Sequence, residues 1–409
     1  MGRITKVFGQ HDEKTLIQLE DVASRAEAAA LMADGHVGYV MPIGGVAAYD
    51  NKVSVVGVGF DIACGNAAIR TNLRADQFTR PEWERIADEI AGTVSFGVGR
   101  SNAASDAPDD HPLFSSDAWS LLPREANKPN LLAKARNQLG TVGSGNHYVD
   151  VFADEQDTIW VGVHFGSRGL GHTIASGFLA LSQNKPWGER VKEVEVLLDL
   201  KSPLGDDYWQ LMELAGEYAY AGREWVARKV VEILGGAELE LVHNHHNFAW
   251  REQQLVDGEE REVVVVRKGA TPAFPGQKGF IGGSMGDDAV IVQGAASSGS
   301  DVQQAALYST VHGAGRVMSR TQAAGKTKGW GRKKRIAAPG LISQEMLTKW
   351  VVDEKQVILR GGGLDEAPQA YRRLPEVLKA QGETIEVLYR LRPIVVVMAG
   401  ADEFDPYKD

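Results

Sequence analysis

The hydrophobic and polar positions of this 409-residue chain change period several times. Residues 15–34 have helical spacing, and Asp34-Gly35 closes the predicted helix. Apolar runs broken by glycine follow. VGYVMPIGGVAAY from Val37, KVSVVGVGF from Lys52 and AAIRTNL from Ala67 read as strands. Residues 81–92 and 115–138 are helical by spacing, and 101–114, SNAASDAPDDHPLF, is a loop. TIWVGVHF, ending at Phe165, is apolar nearly throughout, which predicts a buried strand. A helical tract covers 170–234, interrupted at Lys185-Pro186 and Ser202-Pro203. LELVHN, REVVVVRKG and DAVIVQG return to strand. Helix is expected again from 302 to Arg320, over 343–355 and over 368–381, with a basic glycine-containing segment at 321–340 between. IEVLYRLRPIVVVMAG reads as a strand pair or one bent strand, and 401–409 as a polar tail. With neither a fixed-period repeat nor a dividing linker, the prediction is an α+β fold: a single large domain, residues 1–409, of mixed sheets surrounded by helices.

Composition narrows the setting. Cys64 is the only cysteine, so no intramolecular disulfide forms, and a reducing compartment is expected. No apolar run approaches the roughly 20 residues of a membrane helix, and MGRITKVFGQHDEKTL has no signal-peptide core. A soluble cytoplasmic protein is the expectation. The formal net charge of −10 argues against coating nucleic acid by bulk charge but permits a local basic groove. KTKGWGRKKR (326–335) is a candidate for one, with Trp330 among six basic residues.

Three short motifs imitate known sites. Gly282-Gly283-Ser284-Met285-Gly286 fits a nucleophile elbow, but Asp287-Asp288 and a strand follow where a helix is required. Gly325-Lys326-Thr327 resembles the end of a phosphate loop, with Arg320 in place of its first glycine. GVGFDIACG (57–65) starts like a dinucleotide fingerprint and lacks the third glycine.

A different pattern survives. Asp61 and Cys64 share a glycine-rich turn. His147 follows Gly145-Asn146, and His164 ends a strand and opens GSRGLGH. His243, His245 and His246 lie in VHNHHNFAW, and His312 opens HGAGR. Thiolate, imidazole and carboxylate form a mixed ligand set, and a thiolate can bridge two divalent ions. Two such ions can clamp a phosphate during transfer. Spacing alone leaves Zn, Mn and Fe open.

In order along the chain, GHVGYVMPIGGV, VGFDIACG, GSGNHYVD, HFGSRGLGH, HHNFAW, RKGATPAFPG, GGSMG, HGAGRVMSR and LDEAPQAY resemble the RtcB family of RNA-splicing ligases, from Asp34 to Gly400. The resemblance implies an enzyme that joins an RNA 3′-phosphate or 2′,3′-cyclic phosphate end to a 5′-hydroxyl end, using GTP and two Mn2+ ions. It implies that His312 becomes guanylylated, and that Asp61, Cys64, His147, His164 and His246 bind the metals with Cys64 bridging. Asn146, Asp150, Asn247, Ser284, Gly313, Ala314, Gly315 and Tyr371 fall to the nucleotide. Arg168, Lys268 and Arg316 fall to phosphate or RNA. An activating partner such as archease is a further implication.

The chain also departs from that pattern. Asp150 replaces a glutamate, Met398 or Ala399 a lysine, Ala289 a serine, Gly282 a proline and Ala63 a glycine. These changes point to a divergent RNA-repair branch with a relaxed base preference. Two alternatives stay open: a two-metal phosphodiesterase or hydrolase, and a non-catalytic RNA-end binding protein.

Overall fold

The computed structural model describes residues 3–296, 301–328, 335–401 and 403. Its larger sheet runs in the order Lys278–Ile281, Ala289–Gly294, Ile385–Gly400, Tyr148–Ala153, Thr158–Phe165, Gly65–Arg74, Glu238–His245, antiparallel throughout. Ile358–Gly362 adds a parallel strand beside the C-terminal half of Ile385–Gly400. That terminal strand is one bent strand. Its first half pairs with Ala289–Gly294, and its second half, past a register shift after Pro393, pairs with Tyr148–Ala153.

The sheet curls until its two edges nearly meet. Side-chain amides finish the closure: Asn66 Nδ2 donates to Phe280 O at 2.8 Å, Asn244 Nδ2 donates to Lys278 O at 3.1 Å, and Phe280 N donates to Asn244 Oδ1 at 3.3 Å. Ala68, Phe152, Trp160, Val242, Phe280, Ile291 and Leu391 fill the interior. Alternation along Thr158–Phe165 sends Ile159, Val161, Val163 and Phe165 outward against the helices Arg80–Thr93 and Pro203–Leu234. Trp160 and His164 therefore share the inner face.

A second sheet orders Arg3–Val7, Ala28–His36, Ile43–Tyr49, Glu259–Lys268 and Asn247–Val256. The chain steps from Glu238–His245 in the first sheet to Asn247–Val256 in the second with only His246 between them. His246 thus stands on the seam.

Several expectations need correction. The helix over 15–34 stops at Ala23, and Ala28–His36 is a strand. Every residue from Ala28 to Gly35 is buried, so this run has no polar face for a surface helix, and pairing on both sides overrides alanine's helical propensity. The helix over 115–138 begins only at Lys128, after 3₁₀ turns broken by Pro123 and by Asn127 at φ 49°. KVSVVGVGF is a strand only over Lys52–Ser54. Ser54 Oγ then caps the single turn Val55–Val58. The helix from 302 stops at Ala305. The β-branched Thr310 and Val311 are buried in the strand Ser309–Val311, paired with Ala270–Pro272. Asn247–Val256 was not foreseen as a strand. The tract 170–234 divides into Arg168–Ser182 and Pro203–Leu234, the latter started by Pro203 and ended by Gly235 at φ 72°. KTKGWGRKKR and the polar tail lie largely outside the described residues. Among those residues, no helix is long and apolar enough to cross a membrane.

Candidate active site

Strand ends at the seam bring together residues that are up to 185 positions apart (246 − 61). The turn 61–64 is held by Cys64 N to Asp61 O at 3.1 Å and Ala63 N to Asn247 O at 2.7 Å. Ala63 takes φ 60°, a conformation that costs a non-glycine residue roughly 1–2 kcal/mol. The turn aims Cys64 Sγ at His147 Nε2 and His164 Nε2, 3.7 Å from each. Asp61 Oδ2 lies 3.1 Å from His147 Nε2. Two triads could each hold a metal ion, Cys64–His164–His246 and Asp61–Cys64–His147, with donor atoms within 4.8 Å of one another in each. Cys64 belongs to both. A side chain at Gly166 would collide with the Asp61 carboxylate, so glycine is required there.

The imidazole and carboxylate states suit metal binding, while the thiol would give up its proton on binding. His164 Nδ1 lies 2.6 Å from Asn66 Oδ1, which fixes the proton on Nδ1 and leaves the Nε2 lone pair facing Cys64. Burial, then the neighbouring histidines, holds His164 and His246 well below the ordinary imidazole range. Burial raises the Asp61 carboxyl, but the His147 hydrogen bond and charge outweigh it and the net shift is downward. Burial and then Asp61 push the Cys64 thiol well up. Nε2 of His147 is the atom that faces Cys64 and Asp61, while Nδ1 of His147 and of His246 are buried with no hydrogen-bond partner among the described residues.

His312 stands beside this cluster, its ring centroid 4.9 Å from that of His246. Behind it is Asp34, fully buried. Asp34 Oδ2 accepts the backbone N–H of His312 at 3.0 Å and of Gly313 at 3.3 Å, and lies 2.6 Å from His312 Nδ1. That last contact is close but oblique, so it is not a formed hydrogen bond. Asp34 reaches the turn because its strand slips register between Leu31 and His36. Arg372 supports the slip by donating to Ala33 O at 3.2 Å and Gly35 O at 3.0 Å. Gly315 at φ 73° packs where a side chain would strike Asp34 O.

The expected nucleotide and phosphate residues are more dispersed in role. Asn146 Nδ2 is 3.4 Å from His164 Nε2, and Asn247 Oδ1 accepts Gly269 N at 2.7 Å next to His312. Ala314 is buried in the HGAGR turn. Arg168 opens a helix at φ 57° and donates to Gly97 O at 3.4 Å. Lys268 is buried, donates to Val56 O at 3.0 Å, and is lowered by desolvation to about 8. Arg316 is already engaged: it donates to Glu366 Oε2 at 3.1 Å, Tyr371 OH at 3.0 Å and Asp365 O at 2.7 Å. Tyr371 OH in turn bonds Glu366. Ser284 Oγ donates to Asp287 Oδ2 at 2.7 Å, and Asp287 pairs with Arg373. Asp150 is buried, burial pushes its carboxyl well up, and its Oδ1 has no partner among the described residues.

Asp34, Asn66 and Arg223 were assigned no role from sequence. Asp34 had been taken as a helix stop. Asn66 falls between the Cys64 turn and the strand predicted from Ala67. Arg223 carried a usable signal: it sits four residues from both Ala219 and Ala227 on a buried helical stripe, where a cation is out of place.

A thiol, imidazoles and a carboxylate next to a further imidazole are side chains of the types that metal-assisted group transfer uses. Similarity to known proteins narrows that class. Residues 16–399 match the family model described as tRNA-splicing ligase RtcB. The chain is 31% identical to the tRNA-splicing ligase RtcB of Thermococcus kodakarensis, over 94% of this chain and 91% of that one. It is 32% identical to the RNA-splicing ligase RtcB of Escherichia coli K12, over 90% and 89%. The chain belongs to the RtcB family.

Proposed function

We propose that this chain is an RNA ligase of one domain that joins a 3′-phosphate or 2′,3′-cyclic phosphate end to a 5′-hydroxyl end, in tRNA splicing or RNA repair. The relatives' names carry the RNA-joining part of this reading. The placement of His312 beside the Cys64 cluster carries the chemistry. Asp34 lies at Nδ1 of His312, so Nε2 is the attacking atom. It displaces pyrophosphate from the α-phosphate of a nucleoside triphosphate, GTP by the family pattern, and forms a P–N bond. The RNA 3′-phosphate then takes the guanylate from His312, and the 5′-hydroxyl displaces GMP.

Cys64, His164 and His246 would hold one divalent ion, and Asp61, Cys64 and His147 a second, with manganese the expected metal. Such ions neutralise phosphate charge and polarise the oxygens under attack. Lys268 and Arg168 border this cluster and supply positive charge toward the phosphates. Arg316 acts on phosphate only if it leaves Glu366. A reducing, cytoplasmic setting suits the buried free thiol, and archease is a candidate activator.

The test is incubation with α-labelled GTP, and separately ATP, in the presence of manganese. The expected result is acid-labile label on the denatured protein that is absent in His312→Ala. Metal-loaded protein that takes label from neither nucleotide would overturn the ligase mechanism. The occupied state of Arg316 and Tyr371 then favours a two-metal phosphodiesterase or an RNA-end binding protein.

A further inference from the structure

Arg223 lies mid-way along the helix Pro203–Leu234 and is fully buried. Its guanidinium meets four acceptors. Nη1 donates to Ala63 O at 2.8 Å and to Phe165 O at 2.6 Å. Nε donates to His243 Nε2 at 2.8 Å, and Nη2 lies 2.8 Å from His245 Nδ1. None of the four is a carboxylate: two are carbonyls and two are imidazole nitrogens. A buried guanidinium with no carboxylate bonded to it is costly, and a hydrophobic side chain of the same volume would often be no worse for stability.

Its placement explains the cost. Ala63 precedes Cys64 and Phe165 follows His164. Gly65 and Phe165 are register partners across neighbouring strands. One nitrogen therefore ties together the backbone beside the shared thiol and the backbone beside an imidazole of the same triad. It also ties down Ala63, whose left-handed backbone would otherwise relax. Tyr220 stacks on His245, ring centroids 3.9 Å apart, and closes the other side of the fork.

We propose that Arg223 is a positioning residue for the metal centre: it braces the carbonyls of Ala63 and Phe165 and so holds Cys64 and His164 pointed at a common ion. This rests on reading Asp61, Cys64, His147, His164 and His246 as ligands. Lysine keeps the charge but not the fork that spans two carbonyls.

The experiment is titration of the full-length apo chain with Co2+ alone, followed by the thiolate-to-cobalt charge-transfer absorption, with Mn2+ titrated separately. Arg223→Lys and the volume-filling Arg223→Met are expected to bind about 10- to 100-fold more weakly, with a shifted charge-transfer band. Val230→Ala, in the same helix but packed away from the site, should lose stability and keep the parent's affinity and band. Folded Arg223 variants that bind like the parent would overturn the proposal. So would equal weakening in Val230→Ala, or failure of both Arg223 variants to fold, since each makes the role purely structural. A parent chain that binds no Co2+ removes the metal reading itself, and the proposal with it.

Discussion

The metal half and the nucleotide half of the site are built differently. Around Cys64, ligand candidates sit on strand ends and a held turn, with ring orientations set by Asn66 and backbone set by Arg223. Around Tyr371, the polar groups are spent on each other: Arg316 on Glu366, Tyr371 on Glu366, Ser284 on Asp287. The first half is pre-organised for an ion. Under the proposed function, a nucleotide would have to displace these internal partners, and each exchange would subtract from binding. The departures from the family pattern fall on both halves: Met398 packs in the cluster around Tyr371, whereas Ala63 sits in the turn that carries Cys64.

The largest effect should come from removing the shared ligand. Cys64→Ala deletes a donor from both triads. Metal content measured on the purified protein should fall at both positions, and labelling and RNA joining should fall to background. A variant that retains two ions would show that the thiol bridges nothing.

Asp34→Asn tests the back of the nucleophile. It removes the carboxylate beside His312 Nδ1 while keeping an oxygen for the His312 and Gly313 amides. Single-turnover labelling should slow by roughly a hundredfold or more, with metal content unchanged. Loss of metal in this variant would mean that the two halves are mechanically one.

The same contrast governs what the sequence showed. Metal-ligand residue types beside glycine turns marked a wider pool that included His243 and His245. It was the family resemblance that singled out Asp61, Cys64, His147, His164 and His246, the residues that form the two triads, whereas His243 and His245 meet Arg223. The buried strand Thr158–Phe165 was legible from its apolar run. The family pattern marked Arg316 for phosphate, but its partner Glu366 lies fifty residues on, and no local pattern announces an ion pair. Ala28–His36 was misread because alanine serves helix and buried strand alike, and only pairing decides. Asp34 then followed the wrong element. Arg223 was legible only as a cation out of place on a buried helical stripe, because the carbonyls it contacts have no sequence signature.

Asp150→Glu probes the nucleotide half directly. Burial raises the Asp150 carboxyl, which weakens it as a charged acceptor for base N–H groups. Glutamate restores the missing methylene. The ratio of GTP to ATP labelling rates should rise about tenfold, the worth of one hydrogen bond to a charged group. An unchanged ratio would remove Asp150 from base recognition.

The smallest effect should be at Ser284. Its hydroxyl donates to Asp287, so Ser284→Ala loses one hydrogen bond of about 1 kcal/mol. Asp287 keeps Arg373, so it is not left uncompensated. Labelling should drop about fivefold at most, whereas a chelator should abolish it. A serine-nucleophile enzyme built on Gly282–Gly286 would behave in the opposite way, dead in Ser284→Ala and indifferent to chelation. The strand Ala289–Gly294 after the motif already argues against it, because an elbow needs a helix there to support the nucleophile.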